Sequence, residues 1–242
     1  MKSAKLFLSL FLLFSAVVMG PVLAPAAAQS KNPDTDATPV RGPAQVSLGS
    51  DVILDLPKGY VFLPKLATAR LMAEMGNLVT PNLLGMVIDG SAAWMIMLEY
   101  SANGYVPDTA PLDPAALLKR MQAQALREHK MTRNVAELHP TRWVEAPRYD
   151  KKSRVLSWSV ELETREKGKV VAKNINTNVM KLGRNGYVGL GLATVSQDAR
   201  QFRSHLTNLV SSIRFRPGRD YTDFDKARDE MAGYDLTGLI AE

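Results

Sequence analysis

The sequence predicts an α+β domain: a mainly antiparallel sheet of hairpins with about three packing helices. Two observations carry that expectation. Short β-type runs recur from about residue 45 to residue 194, most of them joined at compact Gly, Asn or Asp turns. Three stretches with apolar residues at helical spacing stand apart from those hairpins rather than alternating with every strand, which argues against a parallel βαβ sheet.

The first strands are expected around Val46 and Leu48, over Val52, Ile53 and Leu54, and over Tyr60 to Leu63. Between the last two lies Pro57-Lys58-Gly59, in the stretch DLPKGYVFL. Pro presets a turn φ and Gly accepts a positive one, so this segment is expected to be a hairpin-like corner. A short helix follows over residues 65–75, with Leu66, Ala69, Met72 and Ala73 on one face and Gly76 as its stop. LLGMVID and AAWMIMLEY read as two strands joined at Asp89-Gly90-Ser91, the second so apolar that a central place in the sheet is expected.

Asp113-Pro114 marks a helix start, because Asp can accept from free backbone N–H groups and Pro at the first helical position loses nothing. That helix should reach about Lys130, burying Leu117, Leu118, Met121 and Ala125 and turning Lys119, Arg120, Arg127 and Lys130 to solvent. TRWVEAPRY, RVLSWSVELET and VVAKNINTNVMKLG follow as strands, and Arg184-Asn185-Gly186 reads as a hairpin into YVGLGLAT. A last helix is expected over residues 196–213, with Ala199, Phe202, Leu206, Leu209, Val210 and Ile213 on its apolar face.

The chain has 242 residues, a formal charge of +6 and no cysteine. Lys2 and Lys5, an apolar stretch over residues 6–19 and Ala26-Ala27-Ala28 have the order of a secretory signal peptide, with cleavage expected after Ala28. An apolar stretch broken by Gly20 and Pro21 is short of the roughly 20 residues a spanning helix needs. Cleavage would remove two lysines and no acid, which leaves a charge of +4. Export makes nucleic acid an unexpected partner despite the basic balance. An anionic membrane surface or an envelope protein or ligand is the more available partner.

Residues 29–43, QSKNPDTDATPVRGP, are expected to be a disordered tether, too poor in apolar groups to offset the entropy of ordering. The expected organisation is a signal peptide over 1–28, the tether over 29–43, one α+β globular domain over 44–216, and an amphipathic tail over 217–242. In that tail Phe224, Met231, Tyr234, Leu236, Leu239 and Ile240 are expected to pack on the domain.

Several segments in one order resemble a bacterial domain-of-unknown-function family described as predicted membrane-anchored proteins. They include VSLGSDVILDLPKGYVFL, EYSANGYVPD, WVEAPRYD, LGRNGY and YTDFDKARDEMAGYDLTGLI, in a match that covers roughly residues 42–240. The resemblance implies an exported α+β envelope domain and brings no reaction, cofactor or catalytic residue with it. Members often continue past the segment matching Tyr234-Asp235-Leu236 into an apolar C-terminal anchor, whereas this sequence ends at Glu242. Membrane attachment through an uncleaved N-terminal segment is the alternative to cleavage after Ala28.

Familiar chemistries find little purchase. His129, His139 and His205 are too scattered for a helical metal site, so no metal and no cofactor are expected. The sequence lacks a G-x-S-x-G elbow and the S-x-x-K set, and its GLGLA lacks the third glycine of a dinucleotide cradle. Asp89, Glu99 and Glu145 are the carboxylates from which a polysaccharide hydrolase could be built. Trp94, Tyr100, Tyr105, Trp143, Tyr149 and Trp158 either line a ligand groove or form the core of the hairpins. Asn174, Asn176 and Asn178 alternate, so they share a sheet face, expected to be wet, opposite Ile175 and Val179. No residue is assigned as catalytic, metal-binding or cofactor-binding. The expected function is a non-enzymatic binding or accessory domain of the periplasm or envelope. The alternative is an envelope-polymer hydrolase that uses clustered carboxylates or a Ser-His pair.

Overall fold

A computed structural model of the chain describes residues 37–241 apart from 76, 78, 91–92, 132–136 and 196–198. The expected signal peptide and most of the expected tether lie outside the described residues, as do Gly76 and Ser196, the anticipated helix stop and start.

The architecture is α+β and antiparallel, as the hairpin pattern predicts. Eight strands form the main sheet: β1 (Val40–Arg41), β4 (Tyr60–Pro64), β5 (Leu83–Asp89), β6 (Met95–Ser101), β7 (Glu137–Asp150), β8 (Val155–Glu166), β9 (Lys169–Gly183) and β10 (Gly186–Val195). Their spatial order is β1-β4-β5-β6-β10-β9-β8-β7. A second sheet of three strands joins β11 (Ile213–Phe215), β3 (Val52–Leu56) and β2 (Ala44–Leu48). The helices described are α1 (Lys65–Glu74), α2 (Pro114–Met131), α3 (Ala199–Ser211) and the short α4 (Leu236–Ala241).

Three local expectations change. DLPKGYVFL does not close a hairpin: β3 belongs to the small sheet and β4 to the large one, so the Pro57-Lys58-Gly59 turn hands the chain from one layer to the other. Gly59 there has φ +89°, a conformation that costs glycine little. Within the span expected to be tether, Val40 and Arg41 pair with Phe62 and Val61 instead. Ile213, expected to close the last helix, opens β11 and pairs with Leu54. A β-branched residue at the exit of a helix is as well suited to a strand, and the waiting edge of β3 decides it.

The two faces of the main sheet bury different layers. On one face, the small sheet and α3 cover Phe62, Val87, Ile96, Leu98, Val188 and Leu190. On the other, Leu117 and Met121 of α2 and Leu236, Leu239 and Ile240 of the tail pack on Leu156, Trp158, Val160, Met180 and Leu182. A smaller cluster around Met72, Leu83, Met86 and Met97 seats α1. β7 is an edge strand, and it carries Pro140, Pro147 and alternating charges, which discourage pairing with another chain.

Tail residues 217–242 reach the body through more than apolar contact. Arg184 grips Asp229 with two hydrogen bonds of 2.8 and 2.9 Å. Tyr105 and Met231 form a β-bridge, with Tyr105 N donating to the Glu230 carbonyl and Ala232 N to the Tyr105 carbonyl. Gly104 makes that approach possible, since a Cβ there would lie 2.8 Å from the Glu230 carbonyl oxygen.

Candidate functional site

The small sheet and α3 do not extend over the whole of their face of the main sheet. Beside α3, over β7, β8 and β9, a cleft of about 340 Å³ remains. Local strand geometry explains what lines it. On β8 a period of two sends Val155, Ser157, Ser159 and Glu161 to this face, and β9 supplies Thr177, Val179 and Lys181 from the matching register positions.

β7 departs from that period. Arg142 stands opposite Glu161, Glu145 opposite Ser159, and Arg148 opposite Ser157, with irregular register between each pair. Three residues of β7 are thus matched to two of β8, a bulge repeated along the strand, and each bulge returns a charged side chain to the cleft face. Helix α3 closes the opposite wall with Arg203, Leu206, Thr207, Val210 and Ser211. Its apolar members continue the core; Leu206 and Val210 are buried with Val179.

The charges of the cleft are unevenly committed. Glu145 is ion-paired with Arg203 across the opening. Asp150 accepts from Lys152 N at 2.9 Å and from Ser153 Oγ at 2.8 Å, and these bonds hold its carboxyl below the usual range. The Lys181 ammonium donates to the Ile213 carbonyl. Burial pulls its pKa below the usual lysine range, an effect that Asp220 only partly offsets. Ser159 and Thr177 hydroxyls share a 2.9 Å hydrogen bond. The exposed Arg148 guanidinium makes no hydrogen bond or ion pair among the described residues, and its charge adds only the smallest contribution to the lowering of Asp150. The arrangement can hold and orient a polar group, and it presents no free carboxylate beside a second acid or base.

The three sequence-nominated carboxylates do not converge. Asp89 ends β5 and accepts from Ala93 N at 2.7 Å. Glu99 lies buried on the opposite sheet face, where Thr80 donates to it at 2.7 Å and burial raises its pKa. Only Glu145 reaches the cleft. The histidines are equally dispersed: His129 on α2, His139 beside Glu137 on β7, and His205 on α3, stacked on Trp94 and hydrogen-bonded to Tyr60 at 2.9 Å. Among the described residues no group of three or more His, Asp or Glu is placed to hold a metal ion.

The aromatic residues are packing elements rather than a groove. Trp94 and Trp158 are buried, and Trp143 ties β7 to α2 through a 2.8 Å bond from its indole N–H to the Pro114 carbonyl. Tyr149 donates to Asp108 at 3.0 Å, where Arg154 also binds at 2.7 Å; burial pushes the Tyr149 phenol up to about 12. Tyr105 is stacked on both Tyr221 and Phe224 at centroid distances of 4.4 and 3.8 Å. Asn174, Asn176 and Asn178 do share a face, but it is buried rather than wet, because they lie beside Leu162, Val160 and Trp158 under the helical layer.

Sequence reasoning missed Arg148, Lys181 and Arg203. The polar alternation Ser157, Ser159, Glu161 was a usable signal for one hydrophilic face of β8, whereas the bulges of β7 hid Glu145 and Arg148 from any period-two reading.

A family model described as "Protein of unknown function (DUF2167)" matches residues 40–242. Among solved structures, the solution structure of cyanobacterial PsbP (CyanoP) from Synechocystis sp. PCC 6803 is similar at 11% identity and a TM-score of 0.40, over 78% of this chain and 98% of that one. Among curated proteins nothing matches.

Proposed function

The chain belongs to this family of proteins of unknown function, and from that premise we propose that it is an exported, non-enzymatic binding or accessory domain of the bacterial envelope, with the cleft beside α3 as its ligand site. The observation that carries the proposal is the cleft itself: a hydroxyl-rich, cationic recess over an apolar floor, with its acids already spent on Arg203 and on the turn after β7. Ligand sites combine such a floor with a few placed polar groups. General acid-base work needs two titratable groups facing one reacting centre, and Asp89, Glu99 and Glu145 lie at separate places. His205 has a ring nitrogen bonded to the Tyr60 hydroxyl and a face stacked on Trp94, which argues against its serving a serine nucleophile.

The test is amide chemical-shift mapping of the described domain during titration with soluble envelope fragments, with the recovered ligand weighed by mass spectrometry. Saturable shifts at Ser157, Thr177 and Arg203 with the ligand mass unchanged are expected. A cleaved ligand would make the protein an enzyme, and saturable shifts confined to the opposite face would move the site.

Export is supported by the N-terminal residue pattern, and among the described residues no helix is long and apolar enough to cross a membrane. Expression in a bacterial host followed by intact-mass measurement should yield a product beginning at Gln29.

Contact with an anionic membrane surface is a second reading, favoured by the tip of the β8–β9 hairpin. There Lys167 and Lys169 flank a turn beside Val170 and Val171, which are 44% and 54% exposed. Apolar side chains ringed by lysine suit an anionic interface. Flotation with phosphatidylglycerol vesicles is expected, and replacing both valines with Asp should abolish it. Equal flotation with neutral vesicles would remove the electrostatic part of this reading.

A further inference from the structure

We propose that the cleft beside α3 is an oxyanion site, which takes a phosphate or carboxylate group carried on a hydroxyl-bearing ligand, with Arg148 as its principal anchor. The inference rests on the reading of this cleft as a ligand site and names what the cleft selects.

The argument is an inventory of donors and acceptors. Both carboxylates of the cleft are committed: Glu145 to Arg203, and Asp150 to Lys152 N and Ser153 Oγ. Of the three cations, Arg203 is the one paired with an acid. Arg148 makes no hydrogen bond or ion pair among the described residues, and Lys181 uses one of an ammonium's three donors on the Ile213 carbonyl. The Ser157 hydroxyl likewise has no partner among the described residues. What the cleft has to spare is therefore donors, two of them charged.

Register brings those donors together. Arg148 is the direct cross-strand partner of Ser157, and Ser157 is that of Val179, two residues before Lys181 on β9. Direct cross-strand neighbours have Cβ atoms about 5 Å apart and diagonal ones about 7–8 Å. Two long cationic side chains can therefore close on one oxyanion above Ser157. The guanidinium fork suits the paired oxygens of a carboxylate or phosphate. Val155, Val179 and Val210 form an apolar floor that strengthens the attraction by excluding water. Lys181 is already desolvated there, a cost that Asp220 offsets only in part and that a bound anion would offset further. The Thr207 and Ser211 hydroxyls donate to the Arg203 and Thr207 carbonyls and can still accept at the rim, where they suit a ligand rich in hydroxyls.

The experiment uses isotope-labelled protein at constant ionic strength set with sodium chloride, titrated separately with inorganic phosphate, glucuronate and the neutral trimer of N-acetylglucosamine. Phosphate, glucuronate or both should shift the Arg148 side-chain Nε signal and the Ser157 and Lys181 amides saturably. Which of the two binds better distinguishes a phosphate-bearing from a carboxylate-bearing source. Arg148→Gln should weaken binding at least tenfold, and Lys181→Met should weaken it too. Arg148 is exposed, with no hydrogen bond or ion pair among the described residues and only a longer-range attraction to Asp150, so its variant should melt close to the parent. Glu145→Gln should retain binding.

Saturation by the neutral trimer with neither oxyanion bound would leave the cleft as a ligand site and overturn the oxyanion assignment. Oxyanion shifts that are the same in Arg148→Gln would overturn it as well. Silence with all three probes would sink the assignment together with the reading beneath it.

Discussion

Among single residues, Glu99 carries the clearest pH signature outside the cleft. Burial raises its pKa above the ordinary value of 4.5, and the Thr80 hydroxyl opposes that only in part. The folded value thus lies above the unfolded one. Between the two, the native state holds more protons than the unfolded chain, and this group's contribution to stability falls as pH rises through the window. Glu99→Gln keeps an acceptor for Thr80 and removes the titration. Its stability relative to the parent should therefore climb as pH rises above the ordinary value of 4.5 in urea titrations; a constant difference would show that Glu99 ionises without cost. Tyr105 makes a second case. Sandwiched between Tyr221 and Phe224, it should lose about 2–4 kcal/mol of stability on change to Ala. Ligand affinity in the cleft should not change. Gly186 is a third: its φ is +146° and a Cβ would lie 1.8 Å from the Ser101 carbonyl oxygen. Gly186→Ala should therefore cost on the order of 2–4 kcal/mol in thermal or urea unfolding.

At the level of elements, β7 and the tail stand out. A regular β7 would alternate Arg142, Val144 and Ala146 on one face; the repeated bulge instead aligns Arg142, Glu145 and Arg148 and makes the cleft wall cationic at its lower end. The tail behaves as part of the domain because α4 buries Leu236, Leu239 and Ile240 against Leu117 and Met121. Leu236 is 1% exposed, so Leu236→Ala should cost about 2–5 kcal/mol by loss of transfer energy and creation of a cavity. A urea midpoint unchanged by that substitution would mean that the tail is dispensable for stability. Met231 is half-exposed; the apolar pattern of the tail did not separate it from the three buried positions, since all four are simply apolar in sequence.

For the whole molecule, the two large core clusters are opposite faces of the same strands. Val179, Val188 and Leu190 point to one, and Met180, Leu182 and Tyr187 to the other. Loss of either layer exposes the strands that support its neighbour, so unfolding should be one cooperative transition. Tryptophan placement provides the check. Trp94 lies in the layer of the small sheet and Trp158 in the helical layer. Variants that keep one tryptophan each should give coincident urea midpoints, and separated midpoints would divide the molecule into two folding units.

Much of this was legible in one dimension. Periodicity placed LLGMVID on the strand it forms, and Asp113-Pro114 marked the start of α2, where the Asp113 carboxylate accepts from Ala115 N at 2.9 Å. Alternation placed Ile175 and Val179 across the sheet from the three asparagines. These are local matters, fixed by dihedral preference, capping and the spacing of apolar side chains. The tertiary structure alone decided that DLPKGYVFL passes between two layers, that the asparagine face is buried, and that Arg148, Ser157 and Lys181 share one cleft beside α3. Those outcomes depend on strand register and on which surface a distant element covers. A sequence pattern specifies the period of a strand, while its partner, its bulges and its cover are set by contacts between residues far apart in the chain.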